Sequence, residues 1–240
     1  MKVVISQPMY FPWVGMFEQV SLCDIYVHYD DVQFSKGSFT NRVQIKTNSP
    51  QGFNWLTVPL NNLRLGSKIN EVEIDNQKNW RSQHLELLKQ AYRNSPYRKE
   101  MVDLVTNLFD LNIDTISDLA KKSIELSIDY FDLARNKEFY TSSSLGITGI
   151  SSQRVYQIVK QLRGTHYITG HGAKNYLDHP LFDDNGISVE YMDYLRLPYP
   201  QQHATTFNPH VSILDLIANV GKQGREYIKS STIHWKEFLA

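Results

Sequence analysis

The spacing of hydrophobic residues alternates between strand and helix periods along this chain. KVVISQ (2–7) and IYVHY (25–29) are short apolar runs rich in β-branched and aromatic residues, so each predicts a buried strand. Between them, Val14, Phe17 and Val20 are spaced as on one face of a short helix. The chain therefore opens with a predicted strand–helix–strand unit.

The segment from residue 41 to residue 74 predicts strands. In NRVQIKT (41–47) and FNWLTVPL (53–60), hydrophobic residues either alternate with polar ones or follow one another, as in strands. The turn NSPQG (48–52) between the two segments predicts a hairpin. KINEVEI (68–74) is a further strand candidate.

Helical spacing begins at Trp80, where three helices are predicted in succession. The first starts at Trp80, the second starts after Pro96, and the third follows Asp114, whose side chain is suited to cap it. We interpret this block, about residues 77–135, as a helical insertion or subdomain within one α/β domain that spans residues 1–240.

The C-terminal part of the chain returns to strands that alternate with helices. The predicted elements are a strand and loop in KEFYTSSSLG (137–146), a helix over Gln153 to Arg163, strands in THYITG (165–170) and ISVEYMDY (187–194), and a closing helix in SILDLIANVG (212–221). The closing helix is expected to end at Gly221. Strand–helix alternation at both ends of the chain predicts an α/β fold with a largely parallel sheet.

Composition and charge narrow the classes of function. Of the 240 residues, 41% are hydrophobic and 21% are charged, as in ordinary soluble proteins. The 25 basic and 25 acidic residues give a net charge of +0, which argues against broad binding to nucleic acid or to an anionic membrane. No apolar stretch approaches the ~20 residues that span a bilayer, and the N-terminal apolar run is too short for a signal peptide.

The single cysteine points to a reducing compartment. Cys23 has no partner for an internal disulfide, so we expect a cytoplasmic protein. It lies in the apolar run VSLCDIYV, where a small buried thiol fits better than a nucleophile. The eight histidines show no metal-ligand spacing, so no structural zinc site is expected.

Three predicted strand ends carry the polar residues from which a site could form. Gln7 to Gly15 follow the first strand, Asp30 to Lys36 follow the second, and Gly170 to Tyr176 follow THYITG. Ligands of open α/β sheets bind at the carboxyl ends of the strands. If these strands are neighbours in the sheet, their loops converge on one cleft.

Asp30, Asp31 and His171 are the candidate catalytic residues. The two carboxylates could act as a general base, grip a sugar hydroxyl or amine, or bind magnesium. The alternative is an acidic turn that caps the next segment. Adjacent residues at a strand end point to opposite faces, so only one of the pair is expected to face the cleft. His171, in the glycine-rich loop, is the candidate for a general base or a substrate contact.

Ten further residues are candidates for substrate binding, because aromatic rings stack on bases or sugars while amides, cations and glycine N–H groups bind anions. They are Gln7, Tyr10, Trp13, Gln33, Lys36, Asn41, Arg42, Gly170, Gly172 and Lys174. The alternatives are a solvated hairpin face for the residues around Arg42 and a tight strand-to-helix turn for TGHGAKNYL (169–177). The loop is not a P-loop, which needs G-x-x-x-x-G-K-[ST].

Several segments in order along the chain resemble the WbqC-like proteins. They are SQPMYFPWVGMF, DIYVHYDDVQFSKGSFTNRVQIK, WLTVPL, SPY and LGITGISSQRVYQIVK followed by GTHYITGHGAKNYL. The resemblance implies a role in bacterial surface-polysaccharide biosynthesis, notably of O-antigen, and a transferase that places an amino acid or acyl group on an amino sugar. Members of that family often read HQP where this chain has Ser6-Gln7-Pro8, so a histidine role there does not carry over.

A second, weaker resemblance is to the nucleotidylyltransferase fold, which pantothenate synthetase also has. Pro12 to Phe17 lie where that fold carries H-x-G-H, and ISSQR (150–154) is similar to its second motif, I-S-S-T-x-x-R. Both histidines of the first motif are absent here. The resemblance therefore implies a fold and is compatible with nucleotide binding, but it puts the reaction of those enzymes in doubt.

Three hypotheses of function follow from the residues and the resemblance together. The first is a transferase that forms an amide, such as a glycyl amide, on a nucleotide-linked amino deoxysugar, with ATP or an activated acyl or aminoacyl donor as the co-substrate. The second is a non-catalytic protein that binds a sugar nucleotide or acts as a scaffold in the same pathway. The third is an ATP-dependent amide ligase. An oligomer is compatible with all three.

Overall fold

Where the structure describes the chain, its apolar runs form eight strands in two sheets. The computed structural model describes residues 1–202 and 206–240. Its strands are β1 (Lys2–Ser6), β2 (Ile25–His28), β3 (Arg42–Lys46), β4 (Phe53–Thr57), β5 (Glu138–Thr141), β6 (His166–Thr169), β7 (Ser188–Asp193) and β8 (Ser231–His234). The main sheet has the order β5-β2-β1-β6-β7-β8, and only β8 runs antiparallel to its neighbour. This arrangement confirms the predicted α/β fold with a largely parallel sheet.

Eight helices and four 3-10 segments surround the strands in the described residues. The helices are α1 (Val14–Leu22), α2 (Trp80–Ala91), α3 (Arg98–Phe109), α4 (Ile116–Tyr130), α5 (Ser151–Gln161), α6 (His179–Asp183), α7 (Ile213–Val220) and α8 (Trp235–Phe238). The 3-10 segments are Ile69–Glu71, Ser142–Ser144, His171–Asn175 and Gly221–Tyr227. None of the helices in these ranges has the length and apolarity needed to cross a membrane.

The main sheet is covered on both faces because its central strands are apolar on both sides. In β1, Val3 and Ile5 belong to a core that includes α5, whereas Val4 belongs to a core that includes α1 to α4 and α7. This is the pattern expected of buried parallel strands, in which successive side chains point to opposite faces. The helices between β4 and β5 thus share one core with the sheet.

Several predicted elements are confirmed and some details differ. The hairpin is formed by β3 and β4, and α7 ends at Gly221 as expected. KINEVEI was predicted as a strand, and that prediction is wrong, because Ile69–Glu71 is a 3-10 segment and only isolated bridges flank it. The cap of α4 is Thr115, whose side chain accepts a hydrogen bond from the Asp118 N–H, and Asp114 lies one residue outside the cap.

The strand order places the carboxyl ends of β2, β1 and β6 side by side. In the sheet, β2 and β5 lie on one side of β1, whereas β6 and β7, which come later in the sequence, lie on the other side. The boundary between β1 and β6 is therefore the switch point, where the direction of sheet growth reverses. Crevices at such points are the usual ligand sites of open α/β sheets.

We expect Gly221→Ala to destabilise the protein more than Gly186→Ala does. Both glycines have a positive φ, 66° at Gly221 and 72° at Gly186, and the ψ of −152° at Gly221 lies in a region that essentially only glycine adopts, so the backbone cost of alanine there is about 1–3 kcal/mol. A Cβ on Gly221 would also lie 2.6 Å from the Tyr97 ring, whereas a Cβ on Gly186 would meet nothing within 4 Å. Such overpacking adds about 2 kcal/mol to the loss at Gly221. Urea denaturation measures both losses, and equal losses would contradict this packing.

Candidate functional site

Asp30 is buried where β2 ends and connects three parts of the fold. Its side chain is bonded to the Ser143 N–H at 3.2 Å and the Ser143 hydroxyl at 3.1 Å, and Lys121 of α4 lies 3.5 Å away. Its backbone N–H donates to the Ser142 hydroxyl at 3.2 Å, and only 2% of the residue is exposed. The sequence-predicted carboxylate thus joins β2 to α4 and to the segment after β5.

Asp31 points to the opposite face and forms an ion pair with Arg154 of α5. The Ser142 hydroxyl donates to its other oxygen at 2.5 Å. Burial alone would raise the pKa of Asp31, but the bonds from Arg154 and Ser142 outweigh burial and hold the pKa below its ordinary value. Asp31 is therefore ionised at neutral pH and is poorly suited to accept a proton there.

The Asp31–Arg154 pair borders a cavity of about 510 Å³. Tyr29, Gln33 and Lys68 line it, together with residues 147–151 before and at the start of α5. The first turn of a helix has free N–H groups, and no side chain caps α5. Lys68 and this helix end give part of the cavity a positive character that suits an anion, whereas the charge of Arg154 is balanced by Asp31, which also lines the cavity.

An aromatic cluster lies at the switch point, beside the ends of β1, β6 and β7. Trp13 follows β1, Tyr194 follows β7, and His171 follows β6. The ring of Tyr194 is 5.0 Å from that of Trp13 and 5.2 Å from that of His171. Gln19 of α1 donates a 2.8 Å hydrogen bond to the Tyr194 hydroxyl. The cluster therefore brings three strand ends together around one tyrosine.

Two glycines permit this cluster to close. A Cβ on Gly15 would lie 2.1 Å from the Trp13 indole, so the indole covers a position that only glycine can occupy without displacing it. A Cβ on Gly170 would lie 3.1 Å from the Tyr194 hydroxyl oxygen. The W-x-G part of the N-terminal motif is thus explained by close packing of the indole on the backbone.

His171 is exposed and keeps one ring nitrogen available. Its Nε2 lies 2.6 Å from the Met192 carbonyl oxygen and must donate to it, because a carbonyl only accepts. The Nδ1 atom is then the nitrogen that could accept a proton when the ring is neutral. Of the three predicted catalytic residues, His171 is the exposed one, whereas Asp30 is buried and Asp31 is half-buried.

The other predicted binding residues lie in different surroundings. Tyr10 is fully buried, and its hydroxyl lies 3.2 Å from Nδ1 of His84. Asn41 is buried and donates to the Val58 carbonyl at 3.0 Å, while Arg42 stacks on Trp55 and bonds the Gly37 carbonyl. Gln33 lines the cavity beside Asp31, Gln7 and Gly170 are half-buried, and Lys36, Gly172 and Lys174 are exposed. Their roles in binding stay predictions.

Arg154 and Tyr194 are the residues of this region that the sequence did not single out as site residues. Arg154 ends the segment ISSQR, which was noted only for its similarity to a nucleotide motif. Tyr194 ends a predicted strand with no motif around it. In residues 1–202 and 206–240, no three side chains of His, Cys, Asp or Glu come together to hold a metal ion.

We expect Asp31→Asn to destabilise the protein by about 3 kcal/mol at pH 7, because it leaves Arg154 buried without its anion. The loss should shrink as pH falls below about 4, because the wild-type carboxyl then becomes protonated as well. Because the pKa of Asp31 is lower in the folded state than in the unfolded state, its carboxylate stabilises the fold at pH values above the unfolded-state pKa. This stabilisation is lost as the pH falls through the folded-state pKa. Urea denaturation at several pH values tests this.

Asp132→Asn is the matched control for that measurement, because Asp132 pairs with Arg225 at 3.0 Å while 74% of its side chain is exposed. We expect a loss of under about 0.5 kcal/mol from this surface pair. An Asp31→Asn loss that matches the control, or that does not change with pH, would show that the buried pair contributes little.

Comparison with known proteins gives two matches. The model of the WbqC-like protein family matches residues 7–227. The chain is also 30% identical over 230 residues to the uncharacterized protein Rv1507c of Mycobacterium tuberculosis (strain ATCC 25618 / H37Rv), a match that covers 95% of this chain and 97% of that protein. No solved structure matches the chain, so the nucleotidylyltransferase-like fold stays a prediction. The family match covers most of the sequence, and the chain belongs to the WbqC-like protein family.

Proposed function

We propose that this protein is a transferase of surface-polysaccharide (O-antigen) biosynthesis that forms an amide on a nucleotide-linked amino deoxysugar. The acyl or aminoacyl group would come from an activated donor, and the reaction would take place in the cytoplasm. Membership of the WbqC-like family suggests the pathway. The observation that carries the transferase proposal is the pairing of a cavity, lined by Lys68 and the uncapped start of α5, with an aromatic cluster at the carboxyl ends of the strands.

The cavity supports the nucleotide part of the proposed substrate. Its volume of about 510 Å³ is within the range of small-molecule sites. The uncapped start of α5 and Lys68 would bind the pyrophosphate, since both favour negative charge. Tyr29, which lies under the Arg154 guanidinium at 5.1 Å, adds an aromatic wall.

The aromatic cluster supports the sugar part of the substrate and the chemistry. Trp13 and Tyr194 offer ring faces of the kind on which sugars stack. Amide formation must remove a proton from the nitrogen, so a basic group is needed nearby. The Nδ1 atom of His171 is the predicted group that could accept this proton.

A non-catalytic sugar-nucleotide-binding protein is the second candidate. It is favoured by the engagement of both predicted carboxylates in bonds within the protein, Asp30 with Ser143 and Asp31 with Arg154. An ATP-dependent ligase is the third candidate, because ISSQR begins α5 at the edge of the cavity.

Incubation with nucleotide-linked amino sugars and candidate donors, followed by mass spectrometry, tests the transferase proposal. We expect a mass gain equal to one acyl or aminoacyl group on the sugar nucleotide. Binding of the sugar nucleotide without a mass gain for any donor would favour the non-catalytic alternative. A mass gain that appears only when ATP is consumed would identify the ligase.

We expect His171→Ala to lower kcat by about 10²-fold, because the proton acceptor is lost. The dissociation constant of the sugar nucleotide should change far less. His166→Ala is the matched control, because His166 lies at the opposite end of β6 and pairs with Glu190 at 3.8 Å. Equal activities of the two variants in the mass-spectrometric assay would exclude His171 from the chemistry.

A further inference from the structure

Glu18 is a buried carboxylate without a hydrogen bond of normal geometry. It lies on α1, its exposure is 0%, and neither carboxylate oxygen has a well-formed hydrogen bond. The Ser230 hydroxyl and the Arg196 backbone N–H lie close enough to stabilise its charge, but that hydroxyl donates to the Asp193 carbonyl at 2.7 Å. Such a group costs stability, so its presence in a buried stretch of the helix calls for an explanation.

The Glu18 side chain borders a small cavity that lies under Trp13. Gly15, Arg196 and Pro209 are among the other residues that line this cavity. Its volume of about 10 Å³ holds one water-sized atom group and no more. The next residue of α1, Gln19, bonds Tyr194, which places Glu18 beside the aromatic cluster at the switch point.

The charges that face Glu18 favour a proton-exchanging role. Burial raises its pKa to about 7, and Ser230 and Arg196 oppose that rise. Burial raises the pKa of Tyr194 and the charge of Glu18 adds to that rise, while burial and, second to it, Arg196 lower the pKa of His210, whose ring is 5.3 Å from Trp13. A carboxyl group with a pKa near 7 can accept or give up a proton at neutral pH.

We propose that Glu18 binds the amino group of the acceptor sugar in this cavity and takes the proton that makes the amine nucleophilic. This inference rests on the proposed function and deepens it. A cavity the size of one atom group suits an ammonium head, and the indole of Trp13 over it adds a cation–π surface. A carboxylate that lacks hydrogen bonds gains more from an ammonium group than from a neutral hydroxyl.

In the proposed reaction the amino group loses two protons, one before and one after the C–N bond forms. The bound ammonium gives one proton to the Glu18 carboxylate and becomes a neutral amine. Its nitrogen attacks the carbonyl carbon of a donor activated as a thioester or acyl phosphate, so that a C–N bond forms and the thiolate or phosphate leaves with its electron pair. The nitrogen then loses its second proton to Nδ1 of His171, whose ring lies 5.2 Å from that of Tyr194.

Calorimetric titration with three UDP-sugars tests this inference without a donor. UDP-glucosamine, UDP-glucose and UDP-N-acetylglucosamine carry an amine, a hydroxyl and an acetamide at the same carbon. We expect the wild type to bind the amine about tenfold more tightly than the other two, and Glu18→Gln to lose this preference. Glu86→Gln, on the exposed face of α2, should retain it.

The outcomes separate this inference from the proposed function. An amine preference that survives in Glu18→Gln, or equal binding of all three sugars by the wild type, overturns the role of Glu18 and leaves the transferase proposal standing. If none of the three sugars binds, the proposed substrate class loses support, and a second measurement decides the role of Glu18.

That second measurement is a titration of wild-type protein labelled with ¹³C at glutamate Cδ. Ethylammonium chloride should shift the Glu18 resonance, whereas sodium chloride at the same ionic strength should not. The Glu18 resonance is the one that is missing from the spectrum of Glu18→Gln. If Glu18→Gln does not fold, the Glu18 resonance is identified as the one that moves in the spectrum of Trp13→Phe. A resonance that responds equally to both salts overturns the inference.

Discussion

Two adjacent carboxylates at the end of β2 hold the functional edge of the sheet together. Asp30 points towards α4 and meets Lys121 at 3.5 Å, whereas Asp31 points towards α5 and pairs with Arg154. The Ser142 hydroxyl lies 3.2 Å from one carboxylate and 2.5 Å from the other. Because successive residues of a strand point to opposite faces, one dipeptide ties the helices of both layers to the same strand end. The large cavity and the start of α5 take their positions from this arrangement.

The part of this edge that is formed by the ends of β1, β6 and β7 depends on close packing and not on charge. Trp13 lies on the backbone of Gly15, and the hydroxyl of Tyr194 approaches Gly170. The contact at Gly15 needs a missing side chain, the contact at Gly170 is made closer by one, and the bond from Gln19 to Tyr194 then fixes the loop after β7 against α1. The ends of β1, β6 and β7 are thereby brought to one point, where the sheet reverses its direction of growth.

The sequence predicts the local elements well because hydrophobic periodicity is a local signal. The strands and the hairpin are examples, whereas KINEVEI was mistaken for a strand because buried Val72 and Ile74 alternate with exposed residues as in a strand, although Ile69–Glu71 forms a 3-10 segment. The site is harder to predict, because its partners are distant in sequence. Asp31 and Arg154 are 123 residues apart, and nothing in the local pattern around Arg154 marks its burial. The pair Asp30 and Asp31 was found, but its role in holding the fold depends on residues that only the tertiary structure brings near.

The surroundings of the acidic residues, more than their positions in motifs, decide what each can do. Asp31 has a cation and a hydroxyl against it, and these bonds outweigh burial and keep the pKa of its carboxyl low. Glu18 is buried with weaker compensation, and burial raises its pKa to about 7. One carboxyl is thus held charged at neutral pH, which suits a structural anchor, while the other can exchange a proton there. Since both lie at the same edge of one sheet, the fold separates the residue that builds the site from the residue that could act in it.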